Sequence, residues 1–371
     1  MHGFPLQGAT LAEAGLRAEQ IERLEQLIEL HIAEGRYPGC QIAIARNGRL
    51  AVERTFGRAR LAEGEAAHAD TLWLLFSNTK VITAAALWVL AERGAFRFTD
   101  AVSQHVPEFA RHGKRDITVL QLITHQGGFP TATVPPAAWA DHAMLREAVC
   151  NFALEFTPGT QVKYHPGAAH WTAGVLIEAL TGQDFRTAVH DLVIGPMGLS
   201  DEMFLGLPTS EQLRAADMHS PGDQPLDENN SAAWREAGIP GGGGYATARA
   251  MAAFYQMMLA GGTIGGTRIL SPRTLAYAIR NWTGDRIDEE MGMPMHRGLG
   301  PHLRGTTPGI RGLGCFASPR TFGHGGVGSS YCWADPDSGV SFAYLTNCKV
   351  PDPWHSQRMD VVSNLVHSAI L

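Results

Sequence analysis

Four lysines stand among 30 basic residues: Lys80, Lys114, Lys163 and Lys349. Lysine is the basic side chain that can shed its proton inside a protein, whereas arginine stays charged. Lys80 follows Ser77 by three, in Ser77-Asn78-Thr79-Lys80, at the head of the apolar run Val81 to Ala91. Three residues along a helix share one face, and a helix apolar nearly all round is buried. Burial of the amine lowers its pKa toward a useful base. Ser77 is expected at the N-cap, with Gly94 closing the helix. Free N–H groups and the positive dipole end of the helix suit a developing oxyanion there. The pattern points to a nucleophilic serine with its own base; a plain capping serine beside an exposed lysine is the competing reading.

Two further segments carry chemistry. In Pro158-Gly159-Thr160-Gln161-Val162-Lys163-Tyr164, the tyrosine follows a turn and precedes a helix. A phenol beside an ammonium can act as a general base. Lys163 is expected at the surface. In Phe322-Gly323-His324-Gly325-Gly326-Val327-Gly328, a strand edge of little side-chain bulk lets a substrate carbonyl approach backbone N–H groups. Trp139, Trp171, Trp234 and Trp282 are candidates for an apolar acyl pocket, with core packing the alternative for at least half of them.

These residues need elements to hold them. Apolar spacing predicts helices over 17–34, 79–92, 118–124, 142–154, 168–181, 184–194, 246–260 and 355–369. Strands are predicted over 41–46 and 50–56, joined by the hairpin dipeptide Asn47-Gly48, and over 320–322, 330–335 and 340–347. Strands at both ends with helices between imply an α/β (α+β) chain. Residues 1–78 and 236–371 are expected to form one lobe around a mainly antiparallel sheet, and 79–235 a mostly helical lobe. A cleft between lobes is the place for a pocket.

Composition narrows the classes. The chain has 371 residues, 44% hydrophobic and 18% charged, with 42 glycines and a net charge of −6. A core of real size is expected, and disorder or a coiled coil is not. No basic patch marks nucleic acid as a partner. No apolar run is long enough to span a bilayer, and the N-terminus lacks the pattern of a secretory signal. Five widely spaced cysteines without a C-x-x-C pair fit reduced thiols and a cytoplasmic location. No H-E-x-x-H or P-loop occurs, nor the elbow G-x-S-x-G, so neither metal nor cofactor is expected. His125 is read as a structural hydrogen-bonding group at a helix end.

Taken together, the set resembles the serine β-lactamase and penicillin-binding-protein superfamily, specifically the class C β-lactamase-like serine hydrolases that include the family VIII carboxylesterases. S-x-x-K is that superfamily's nucleophile motif. Tyr37-Pro38-Gly39-Cys40 resembles I-P-G-A, and 117–128 resembles I-T-x-x-x-L-L-x-H-x-S-G. Residues 242–248 resemble G-G-L-x-S-T-A, and Phe322 to Gly328 resembles F-G-H-G-G-x-G; Asp335-Pro336 matches a later D-P. The family's Y-x-N stands here as Tyr164-His165-Pro166, and His170 or Asn151 is a candidate to replace the amide. His324 stands where penicillin-type relatives carry the lysine of K-T-G, and a histidine near its ordinary pKa is mostly neutral at pH 7.

The resemblance implies an acyl-enzyme mechanism. Ser77, Lys80 and Tyr164 would be catalytic. The backbone N–H groups of Ser77 and Val327 would form the oxyanion hole. His324, Gly325 and Gly326 would line the substrate site, with His324 hydrogen-bonding near Tyr164. Hydrolysis of small or medium acyl esters is the first expectation. Amide or peptide hydrolysis with weak β-lactam turnover is second, and acyl transfer to a small alcohol is third. A non-catalytic binding protein on this fold is the reading from another class. Substrate choice is expected to lie in loops 129–145, 220–240 and 283–311.

Overall fold

The computed structural model describes residues 3–307 and 312–371; of the 283–311 loop, residues 308–311 lie outside the described residues. The elements that position the site are, in chain order, α1 (Ala18–Ala33), β1 (Gly39–Arg46), β2 (Arg49–Arg60), α2 (Thr79–Glu92), α3 (Val119–Ile123), α4 (Ala168–Thr181), α5 (Ala248–Leu259), β3 (Phe322–Gly326), β4 (Ser330–Asp335), β5 (Val340–Thr346) and α6 (Trp354–Ser368).

The strands form one eight-stranded sheet in the order Gln7–Gly8, β2, β1, β5, β4, β3, His302–Leu303, with Glu65–Ala66 added on β2. All neighbours are antiparallel except the short first pair. Asn47 and Gly48 turn β1 into β2 with φ of 51° and 78°, the left-handed pair that a two-residue hairpin requires.

Alternation along the strands divides the core. Ala43, Ala45, Cys332, Ala334, Ala343 and Leu345 face one side, with α2 and α5 in the same cluster. Ile42, Ile44, Tyr331, Trp333, Phe342 and Tyr344 face the other, with α1 and α6. Small residues on the first face let α5 lie close. Its Gln256 Nε2 donates to Ala45 O (3.0 Å) and Gly339 O (3.1 Å), while Gln256 Oε1 accepts from Gly48 N (2.7 Å). A side chain thus completes backbone hydrogen bonds that burial would otherwise orphan.

Helix α2 is buried from Thr79 to Leu90. Its polar groups are all spent inside the protein: Thr83 Oγ1 donates to Pro240 O (2.7 Å) and Trp88 Nε1 to Leu299 O (2.8 Å). Gly94 follows its end with φ 78°, the left-handed exit favoured after a helix.

Several expectations are corrected. Ser77 is not the N-cap of α2: it sits within a preceding 3-10 turn, Phe76–Asn78, and caps nothing with its side chain. The third sheet strand runs Phe322–Gly326, not 320–322; its glycines pair in register with β4, whose large side chains occupy the space beside them. The helix expected over 142–154 stops at Cys150, because Lys114 Nζ takes the carbonyls of Cys150 (2.9 Å) and Phe152 (2.5 Å) as well as that of Arg111 (3.0 Å). The segment 246–260 splits into a strand, Gly244–Ala246, and α5, capped by Thr247. All five cysteines are free thiols, four of them buried. Among the described residues no helix is long and apolar enough to cross a membrane.

Lys114 is wholly buried and its ammonium spends three hydrogens on three carbonyls. Substituting Lys114→Met strands those acceptors, and should cost roughly 3 kcal/mol of stability in urea unfolding. Activity per folded molecule should stay unchanged.

Candidate active site

The short strand Trp73–Leu74 leads directly into the turn that carries Ser77. Phe76, just before the serine, has φ 43°, a conformation uncommon for a bulky residue and typical of functional turns held by their surroundings. The turn is tied to the sheet: Asn78 Nδ2 donates to Ser330 Oγ (2.9 Å) at the start of β4. Gly326 passes so close that a Cβ there would lie 2.5 Å from Leu75 O and 3.2 Å from Phe76 Cβ. Only glycine permits this approach, and it brings the next residue, Val327, to the wall of the cavity that Ser77 lines.

One helical turn after Ser77, Lys80 is fully buried. Its Nζ lies 3.0 Å from Ser77 Oγ, 2.8 Å from Pro166 O and 2.7 Å from Gly241 O. Tyr164 Oη donates to Ser77 Oγ at 2.9 Å, and Lys80 Nζ stands 5.1 Å from the centre of the tyrosine ring. Desolvation pulls the Lys80 pKa below its ordinary 10.5, and Arg297 acts in the same direction, while Tyr164 opposes them. A neutral amine has two hydrogens and one lone pair. The two carbonyls take the hydrogens, which leaves the lone pair facing the serine hydroxyl.

Tyr164 is placed by its backbone. Its N–H donates to Asp288 Oδ1 (3.1 Å), and the next N–H, of His165, donates to His125 Nδ1 (3.0 Å). His125 thus does hold structure at the end of α3. His165 Nε2 accepts from Phe129 N (3.2 Å). Burial holds the pKa of His125 and His170 well below the ordinary value and that of His165 down to about 4.

Neither candidate for the missing amide fills that role by hydrogen bonding to Lys80. Asn151 is exposed and bonded to Glu147 (2.8 Å). His170 is buried on α4, and its two ring nitrogens have no hydrogen-bond partner within 3.5 Å among the described residues. The acceptors at Lys80 are instead backbone carbonyls, one of them from Pro166 itself, which the sequence pattern gives no means to foresee.

His324 lies on β3 with its ring 6.3 Å from that of Tyr164. It does not hydrogen-bond to the tyrosine: Nδ1 pairs with Gly325 O (2.8 Å), and Nε2 has no partner among the described residues. Burial, with His302 and Lys80 adding to it, keeps its pKa well below the ordinary value, so the ring is neutral at pH 7.

Two cavities meet at Tyr164. One, of about 200 Å³, is lined by Ser77, Met291, Met295, His324, Gly325 and Val327 among others. The other, of about 410 Å³, is walled by Val134, Trp139, Trp171 and Ile239, with Lys163 and Glu290 as its charged groups. Lys163 is half-buried rather than a free surface residue. Trp234 stands edge-on against Trp139 at 5.7 Å, and Trp282 packs on Tyr277 at 4.6 Å.

A mainly antiparallel sheet backed by helices, with the Ser77 turn in front of it, is the architecture of the β-lactamase-fold serine hydrolases. The family described as Beta-lactamase matches residues 24–363, and the chain belongs to it. It is similar to the Esterase/beta-lactamase LipL of Mycobacterium tuberculosis, with 28% identity over 346 residues, 84% of this chain and 77% of the relative. It is also similar to a Putative D-alanyl-D-alanine carboxypeptidase of Escherichia coli O157:H7, with 25% identity over 94% of this chain and 87% of the relative. Among solved structures, a family VIII carboxylesterase superposes with a TM-score of 0.81 at 29% identity, covering 94% of this chain and 98% of the other. A penicillin-binding protein homologue from Caulobacter crescentus gives 0.81 at 28% identity, covering 96% and 99%.

Gly326→Ala should push β3 away from the Ser77 turn and lower kcat/KM by about 100-fold, with little change in the far-ultraviolet circular dichroism. An unaltered kcat/KM would show that the close approach is dispensable.

Proposed function

We propose that the protein is a serine carboxylesterase that cleaves neutral esters of small or medium acyl groups through an acyl-enzyme on Ser77. The observation that carries this reading is the placing of Ser77 Oγ within 3.0 Å of Lys80 Nζ and 2.9 Å of Tyr164 Oη at the wall of a cavity. Ser77 Oγ attacks the ester carbonyl as neutral Lys80 takes its proton. The backbone N–H groups of Ser77 and Val327 receive the oxyanion. The proton passes through Tyr164 to the departing alkoxide, and the alcohol leaves. Water then attacks the acyl-enzyme by the reverse proton path, releasing the acid.

Three features favour esters. Their leaving groups need less protonation than amines do. His324 is uncharged where a lysine would hold a substrate carboxylate, and Arg297 on the cavity wall is already paired with Asp288. The cavity walled by Trp139 and Trp171 offers apolar surface to an acyl chain. Amide or β-lactam cleavage is the second reading, favoured by the carboxypeptidase name of a curated relative; a small-alcohol acceptor in place of water would make the enzyme an acyltransferase.

Comparing p-nitrophenyl butyrate, a chromogenic cephalosporin and a D-amino-acid amide tests the order. The ester should show the highest kcat/KM, and Ser77→Ala should abolish turnover of all of them. Faster cleavage of the amide or cephalosporin would reverse the order. Tyr164→Phe should lose about 10²- to 10⁴-fold in kcat. Because burial lowers the Lys80 pKa, the rising limb of kcat/KM should lie below pH 10.5; a limb at the ordinary lysine value would exclude Lys80 as the base.

A further inference from the structure

The proton path above leaves one buried ion pair unused. Arg297 and Asp288 have side chains only 2% and 0% exposed, with Arg297 Nη2 2.6 Å and Nε 3.2 Å from Asp288 Oδ2. Asp288 Oδ1 accepts the N–H of Tyr164 (3.1 Å) and those of Glu290 (3.1 Å) and Met291 (3.3 Å). Residue 288 also bridges to Val162, and Glu289 N donates to Val162 O (2.9 Å). The segment is therefore fastened along the strand-like run that ends in Tyr164. From the same pair, the Arg297 guanidinium lies 5.0 Å from the centre of the Tyr164 ring and lines the Ser77 cavity.

A buried ion pair is a poor device for stability, since desolvation offsets most of the attraction. Its position beside the phenol is more informative. The charged and titratable groups around Tyr164 are Lys80 from α2, His125 after α3, its neighbours Lys163 and His165, His324 from β3, Glu290 at the second cavity, and the Asp288–Arg297 pair. Burial keeps His125, His165 and His324 uncharged at neutral pH. Lys80 must be uncharged before it can take the Ser77 proton. An arginine keeps its charge at any working pH, so Arg297 is the cation that persists over the ring.

We propose that Arg297, held by Asp288, is a positioning residue for the proton transfer: it fixes the Tyr164 phenol over Ser77 and favours the form of the Lys80–Tyr164 pair that carries one proton fewer. The inference rests on the esterase reading only through Ser77, Lys80 and Tyr164, not through the choice of substrate. A guanidinium held against the ring lowers the pH at which two proton-sharing groups give up their first proton, in part offset by the Asp288 carboxylate that pairs with it. The guanidinium fork also matches both the carboxylate and a ring face, which an ammonium does not.

The test measures the second-order rate of Ser77 phosphonylation by an alkyl fluorophosphonate from pH 5 to 10, for wild type, Arg297→Met and Arg297→Lys. Arg297→Gln repeats the neutral variant if Arg297→Met fails to fold by circular dichroism. The neutral variant should move the rising limb upward by on the order of one pH unit. Arg297→Lys should lower the rate while leaving the limb near its wild-type place. A slower rate with an unmoved limb in the neutral variant overturns the inference, since loss of packing alone would give that result. Wild type that is not labelled at Ser77 overturns the nucleophile reading and this inference with it.

Discussion

Lys80 Nζ, removed from water, has three hydrogen-bond partners among the described residues: Ser77 Oγ and the backbone carbonyls of Pro166 and Gly241. Backbone carbonyls are fixed in place and cannot neutralise a charge as a carboxylate would. They satisfy the hydrogens of a neutral amine while giving an ammonium little compensation for lost hydration. The remaining direction faces the serine. Lys114, whose pKa burial also lowers, to about 8, differs in its partners: a third carbonyl takes the place of the serine and the amine is a structural brace.

That arrangement requires chain segments far apart in sequence to converge within a few ångströms. The turn Phe76–Asn78 and helix α2 bring Ser77 and Lys80, the segment just before α4 brings Pro166, and the glycine run before α5 brings Gly241. A Cβ on Gly241 would lie 3.3 Å from Lys80 Nζ and 3.2 Å from Pro166 O, so the carbonyl reaches the amine because the residue is small. Helix α2 can lie at this junction because its own polar groups are satisfied by Pro240, Leu299 and Gly244. The sheet then presents β3 across the front of the serine.

Patterns of period two and three to four made most elements legible: α2 and α4 span the residues expected of them, and the Asn47-Gly48 hairpin is where it was placed. The spacing of Ser77 and Lys80 needed nothing beyond one helical turn. What stayed hidden has a common cause. The extent of strand β3 beyond Phe322 shows in the sequence only as a glycine-rich strand edge, because its glycines have no β propensity of their own and its ladder comes from β4. The acceptors at Lys80 are main-chain atoms, which no side-chain motif can encode. Arg297 and Asp288 come from a stretch with no apolar period, nine residues apart, and only the fold brings them to Tyr164.

The small number of lysines makes the central claim directly measurable. With four lysines in the chain, protein labelled with ¹³C at the lysine ε-carbon gives few enough resonances to follow individually by pH titration. The Lys80 resonance is assigned by its loss in Lys80→Ala. It should titrate below 10.5, the ordinary lysine value, and phosphonylation of Ser77 should shift it. A Lys80 resonance that stays protonated up to 10.5 or beyond would contradict the account, because the amine would then have no lone pair to offer Ser77.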